Sequence, residues 1–200
     1  MPGFTSPKLR WIKKHEPEVF AVINKILLPK DYLRYSWTGD YATDVSDASG
    51  TLWLNVNKRK WSQTAIQASD LDENLLPTTF EGPEITGEIS LNASKRLGIP
   101  RVPIVAGAGD QAAGAIGASV IRTKDASLVL GTSGVIFIVT DGFLPKPDQG
   151  VHAFCHAIPK KWHQMAVILS AASAIDWVAK ITGFKKPEDA YRSAEKSNQK

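Results

Sequence analysis

The 200-residue chain carries 24 Lys and Arg against 20 Asp and Glu, for a net charge of +4, and 43% of its residues are hydrophobic, enough to bury a real core in one or two domains. The positive bias is dispersed, its longest basic run being Lys58-Arg59-Lys60, so it offers no focused footprint for nucleic acid. No apolar run reaches the length of a membrane span, no charged-then-apolar leader opens the chain, and the single cysteine, Cys155, excludes an intramolecular disulfide; the chain reads as cytoplasmic.

Lys8 to Leu28 places apolar residues at three- and four-residue spacings, which predicts one or two amphipathic helices with Pro17 in the first turn of the second. Pro29 is expected to end that helix, and Asp31 to start another that Gly39 stops. The small polar stretch Thr43 to Gly50 has the composition of a loop. Strand alternation follows over Thr51 to Val56, and a helix over Trp61 to Leu75. Val102 to Val105 is predicted as a short buried strand, broken by Gly107-Ala-Gly109 before an Ala- and Gly-rich helix over Gln111 to Val120. Ser127 to Leu130 and Val135 to Thr140 form a hairpin around Gly131-Thr132-Ser133-Gly134. Two further helices are predicted, over Val167 to Thr182 and Pro187 to Lys196. Strands and helices intermix, giving an α/β class. The composition shift at Arg122 to Asp125 marks a domain boundary, with one domain over 1–122 and a second starting at 125.

Three constellations can carry chemistry. Asp110 follows a glycine turn at the junction from strand to helix. As an N-cap it would accept a hydrogen bond from an early helix amide. As a base it would lie at the carboxyl end of a strand, where α/β sheets bind ligands, beside a helix N-terminus that favours a transferring phosphoryl group. Gly131-Thr132-Ser133-Gly134 is either a tight turn or a phosphate cradle of amides and hydroxyls. It matches neither a Walker loop nor the Gly-x-Ser-x-Gly elbow of serine hydrolases. The segment Val151 to His156, with His163 nearby, invites a zinc reading, but packing accounts for it better, since His152, Phe154 and His156 would share one side of a strand. No metal ligand is assigned.

These motifs resemble the FGGY family of carbohydrate kinases, which includes glycerol kinase, gluconate kinase and xylulokinase. The resemblance runs from Gly3 to His15, through Leu28 to Leu33, Thr38 to Thr51, Lys58 to Ser62, Val105 to Asp110, Leu130 to Gly134, Val151 to His156, Trp162 to Met165 and Leu169 to Trp177. It covers nearly the whole chain, and the last three segments resemble the xylulokinase branch. It implies an actin/hexokinase-like, ribonuclease H-like fold of two domains with ATP and Mg2+ in the cleft between them. It implies phosphorylation of D-xylulose to D-xylulose 5-phosphate, with ribulose, gluconate or glycerol as rival substrates; a non-catalytic sugar- or nucleotide-binding regulator on the same fold is the alternative of another class. By the same resemblance Asp110 falls on the catalytic base and Gln111 on a sugar contact. Gly131, Thr132, Ser133 and Gly134 fall on a phosphate loop, and Ala172 and Asp176 beside the nucleotide. The family's Asp-x-Gly-Thr opening, its Gln-Met-His sugar segment and its Gly-Gly adenosine motif have no counterpart here. The chain is therefore expected to be incomplete at both ends and inactive alone, with exposed sheet edges that favour association, a homodimer included.

Overall fold

The structure, a computed structural model, describes residues 3–197. The chain opens with α1 (Thr5–His15) and α2 (Pro17–Ala21), with Pro17 in the first turn as expected. The predicted continuation of the helix to Leu28 is wrong: α2 stops at Ala21, and Ile26 donates its amide to the Leu75 carbonyl at 2.8 Å. A spacing of three serves a chain laid along a core as well as a helix. Ile23 and Ile26 both pack there, against the cluster of Leu9, Trp53, Ile66 and Leu76. Pro29 opens α3 (Pro29–Thr38) rather than closing the helix before it, because it holds Leu28 extended and needs no amide partner in a first turn. Gly39, at φ 85, ends α3 as predicted.

Thr43 to Gly50 is not a loop. Residues 42–44 form β1 (Ala42–Asp44), 45–48 form α4 (Val45–Ala48), and a 3-10 turn follows. Every residue from Ala42 to Ser49 except Asp47 is buried. Asp44, Ser46 and Ser49 are tolerated inside because they bond to one another and to the backbone, as when Ser49 Oγ donates to Val45 O at 2.7 Å.

The predicted strand over Thr51 to Val56 shrinks to β2 (Leu54–Asn55), paired with β3 (Lys60–Trp61), since Leu52 takes a left-handed conformation. Of the helix expected over Trp61 to Leu75, only α5 (Gln63–Gln67) and a 3-10 turn at Glu73–Leu75 form, because Asp70, at φ 52, turns the chain between them. β4 (Thr78–Phe80) pairs in parallel with β1, and β5 (Ile85–Glu88) leads to α6 (Leu91–Leu97), capped by Ser90. β6 (Pro103–Val105) is the strand expected there, paired antiparallel with β5. It is not buried: Val105 is exposed.

α7 (Asp110–Gly117) follows, then the predicted hairpin of β7 (Ala126–Leu130) and β8 (Gly134–Thr140). β9 (His152–Cys155) and β10 (Trp162–Ile168) complete a sheet ordered β7-β8-β10-β9. Val167 and Ile168 belong to β10, paired with Val135 and Gly134, so the helix expected from Val167 begins only at α8 (Ala172–Ile181). α9 (Pro187–Ser197) stands where predicted.

β9 is buried against α4. Cys155 joins Val45, Ala48 and Leu54 in one apolar cluster and donates its amide to Ser49 Oγ at 3.1 Å. Arg59 secures the same contact, pairing through Nε and Nη2 with Glu81 (2.6 and 2.7 Å) and donating to the Lys161 carbonyl at 2.8 Å. Gly82 lies in this seam, where a Cβ would sit 2.6 Å from the Ala157 carbonyl oxygen and 2.9 Å from that of Gly107. No helix among the described residues is long and apolar enough to cross a membrane.

Candidate functional site

Asp110 is the first residue of α7 and is not its cap. Gly109 holds the cap position with no side chain to offer, and the exposed Asp110 carboxylate accepts from the Gln111 amide at 2.8 Å. The N-cap reading of Asp110 is thus corrected by one residue, which leaves the carboxylate exposed with one hydrogen-bond partner among the described residues. Its neighbours come from remote parts of the chain. Ser46, Asp47 and Gly50 from the α4 segment, Gly109 to Ala112 from α7, and Phe154, His163 and Met165 from the sheet line one cavity of about 140 Å³.

The wall formed by α4 is built on charge. Asp44, fully buried, caps α4 by accepting through Oδ1 from the amides of Ser46 (2.7 Å) and Asp47 (3.2 Å). Lys30 Nζ contacts Asp31, stands 2.8 Å from Asp44 Oδ2 and is 3.7 Å from Asp47 Oδ2. In the 2.8 Å approach of Lys30 to Asp44 Oδ2, the close, buried opposite charge is the effect that counts. The two sides respond differently. Burial opposes the charge on Lys30, but Asp44 and then Asp31 more than offset it, and its pKa is raised. Asp31 is also raised, because burial outweighs its share of one lysine divided among three carboxylates.

Asp47 is the member of this cluster that reaches the cavity. Burial first, with Lys30 opposing and the Asp44, Asp31 and Asp110 carboxylates adding, pushes its pKa to about 6. Between pH 4 and 6 the folded protein therefore binds more protons at this site than the unfolded chain does, and stability falls as pH rises through that window. Asp47→Asn is expected to flatten that slope and to stabilise the full-length protein at pH 7.5 by about 1–2 kcal/mol. Denaturant titrations of both proteins at pH 4.5, 6 and 7.5 check this, and an unchanged slope would refute it.

His152, His156 and His163 each pack against an aromatic ring. His152 and Phe154 stack at 5.6 Å on one face of β9, as predicted, while His156 lies beyond its end. Nδ1 of His156 accepts from the Ile158 amide (3.0 Å), so its proton resides on Nε2, 3.3 Å from the Val120 carbonyl. His163 stacks on Phe137 at 4.0 Å, and burial lowers its pKa to about 3, keeping it neutral.

The second predicted group is brought together elsewhere. Thr132, Ala172 and Asp176 line an open cavity of about 290 Å³ with Ser173, Ile175, Pro187 and Tyr191. The hairpin loop meets α8 through its carbonyls: Thr132 O accepts from the Ala171 amide (2.8 Å) and the Ser173 hydroxyl (3.1 Å), and Gly131 O from the Ala172 amide (3.0 Å). Gly131 spends its own amide on Ser133 O at 2.8 Å, so the cradle is narrower than four successive free amides. Gly134 is needed for the approach, since a Cβ there would lie 3.0 Å from Ala171 Cβ. Thr132 and Ser133 stay exposed. Gln111 falls in the first cavity with Asp110; Gly131, Ser133 and Gly134 line neither.

Sequence reasoning missed Lys30, Asp44, Ser46 and Asp47. An Asp ahead of small polar residues is an N-cap signal, and it could have located α4. Among the described residues no group of three His, Cys, Asp or Glu side chains is set to hold a metal. The three clustered carboxylates are already gathered on Lys30. The residues present therefore do not build a magnesium site, and no step is assigned to one.

The profile of the FGGY family of carbohydrate kinases, N-terminal domain, matches residues 1–117. The xylulose kinase of Escherichia coli (strain K12) is 52% identical over 199 residues, covering 100% of this chain and 41% of that protein. The xylulose kinase of Klebsiella pneumoniae is 50% identical over 184 residues, covering 92% and 38%. The crystal structure of a xyloylose kinase from Brucella ovis superposes with a TM-score of 0.89 at 45% identity, over 96% of this chain and 40% of that one. The chain thus spans about two fifths of the length of the relatives it matches. With its α/β architecture matching theirs, the chain belongs to the FGGY family of carbohydrate kinases and shares their actin/hexokinase-like fold.

Proposed function

We propose that this chain supplies the catalytic base and one phosphate-facing loop of an enzyme that transfers a phosphoryl group from ATP to D-xylulose, giving D-xylulose 5-phosphate. The observation that carries the reading is the cavity in which the exposed Asp110 stands beside Gln111, Gly109 and Asp47. A sugar hydroxyl within reach of Asp110 would pass its proton to the carboxylate as its oxygen attacks the γ-phosphorus, and Gln111 would orient the sugar by hydrogen bonding. Gly131 to Gly134, with Ala172 and Asp176, would flank the nucleotide, and magnesium would enter on the nucleotide's phosphates. Residues 1–122 are read as part of the sugar-binding domain and 125–200 as the start of the nucleotide-binding one.

The choice of D-xylulose rests on the identity to the two xylulose kinases over nearly the whole chain. A cytoplasmic enzyme fits the single cysteine, Cys155, buried and unpaired with its thiol pushed up to about 11 by burial. The exposed β5–β6 pair leaves room for a homodimer. The deciding assay couples ADP release by the full-length protein to D-xylulose, L-ribulose, gluconate and glycerol in turn. The expected result is the highest kcat/KM for D-xylulose. A preference for another of the four moves the substrate, and sugar binding without turnover removes the kinase.

A further inference from the structure

Gly109 determines where the helix carrying Asp110 begins, yet it has no side chain with which to hold itself in place. Its amide donates to Ser46 Oγ at 3.0 Å, across 63 residues of sequence. A Cβ on Gly109 would lie 3.2 Å from Asp47 Cα, so the two backbones are in direct contact. Ser46 is buried, and its hydroxyl also contacts Asp44 Oδ1. A carboxylate oxygen can only accept here, so the one hydroxyl proton goes to Asp44, and the lone pairs of Oγ are left for the Gly109 amide. Asp44 is itself held by two α4 amides and by Lys30. The hydroxyl therefore has a fixed direction before any substrate arrives.

We propose that Ser46 is a positioning residue for Asp110, its proton committed to Asp44 and its oxygen gripping the Gly109 amide so that the first turn of α7 presents the carboxylate at one place in the cavity. The proposal rests on Asp110 being the base. It concerns kcat more than sugar affinity, because a base displaced by a fraction of an ångström still leaves the rest of the cavity to bind. A misplacement of 1 Å costs about 10²-fold in rate, so loss of this one anchor is expected to lower kcat by about 10-fold.

The test uses the full-length enzyme with MgATP and D-xylulose, with kcat expressed per titrated active site so that a smaller folded fraction does not register. Ser46→Ala and Ser46→Cys, whose thiol is a poor acceptor for an amide, should each lower kcat about 10-fold while changing sugar KM less than about 3-fold, and Ser46→Thr should restore it. If Ser46→Ala does not fold, the near-isosteric Ser46→Cys carries the same comparison. In an Asp110→Asn background the Ser46 substitutions should add less than about 2-fold, since both act through one group. A kcat unchanged by the Ser46 substitutions overturns the proposal, and so does an equal loss in both backgrounds. Should Asp110→Asn itself leave turnover intact, the base reading fails and the positioning role goes with it; a loss of decades there with no Ser46 effect sinks the positioning role alone.

Discussion

Asp110→Asn in the full-length enzyme should leave a folded protein whose kcat is lower by about 10²-fold or more, the worth of a positioned base. The reason for expecting an intact fold is local. Asp110 is exposed, and among the described residues its side chain's one hydrogen bond comes from the Gln111 amide, which an asparagine oxygen can also accept. The substitution therefore removes proton acceptance and little else. Steady-state kinetics with saturating ATP, together with a thermal melt within a degree or two of the parent, would check both halves. Turnover close to the parent's would sink the assignment of the base, whatever the family resemblance.

Lys30→Met has the opposite character, because Lys30 lines neither cavity and its loss strikes the fold. Lys30 is the one cation within 4 Å of Asp44 among the described residues; Asp44 and Asp31 are almost wholly buried. Arg34, also buried near Asp31, is occupied with Thr86 and with the Asp40 carbonyl. Breaking a buried pair by deleting one partner costs about 3–5 kcal/mol, since the surviving charge has neither water nor a counter-ion. The raised pKa of Lys30 gives the sign: the lysine's contribution is complete at neutral pH and is lost only as pH rises past its folded value, so the full loss is expected at pH 7. Urea titration measures it. Adding Asp44→Asn to Lys30→Met should recover part of the loss, because a neutral amide is cheaper to bury than an unpaired carboxylate. A loss below about 1 kcal/mol for Lys30→Met would show that solvent reaches the cluster and screens it.

The two variants separate the parts of the site that could be read along the chain from the part that could not. Asp110 stood out because glycines precede it and an Ala-rich helix follows it. The β7–β8 hairpin stood out because two glycines sit between alternating apolar runs. These signals lie within a few residues of one another, so local backbone preference and hydrophobic period are enough to reveal them.

The segment Thr43 to Gly50 read as a loop because small polar residues usually face water. Nothing local says that Asp44 will be buried beside Lys30, 14 positions earlier in the numbering, or that Ser46 will meet Gly109. For the same reason, Ile23 and Ile26 read as helix, although the core they reach is formed by Trp53, Ile66 and Leu76.

By itself the sequence determined the α/β class, the family resemblance, the candidate base and the hairpin loop, all of which depend on neighbours in the chain. Only the tertiary structure decided that α4 is an internal strut, that Lys30 pairs with its capping Asp44, and that its serine meets the Gly109 amide. Those contacts join residues far apart in sequence, and their energies come from burial, which no local pattern records.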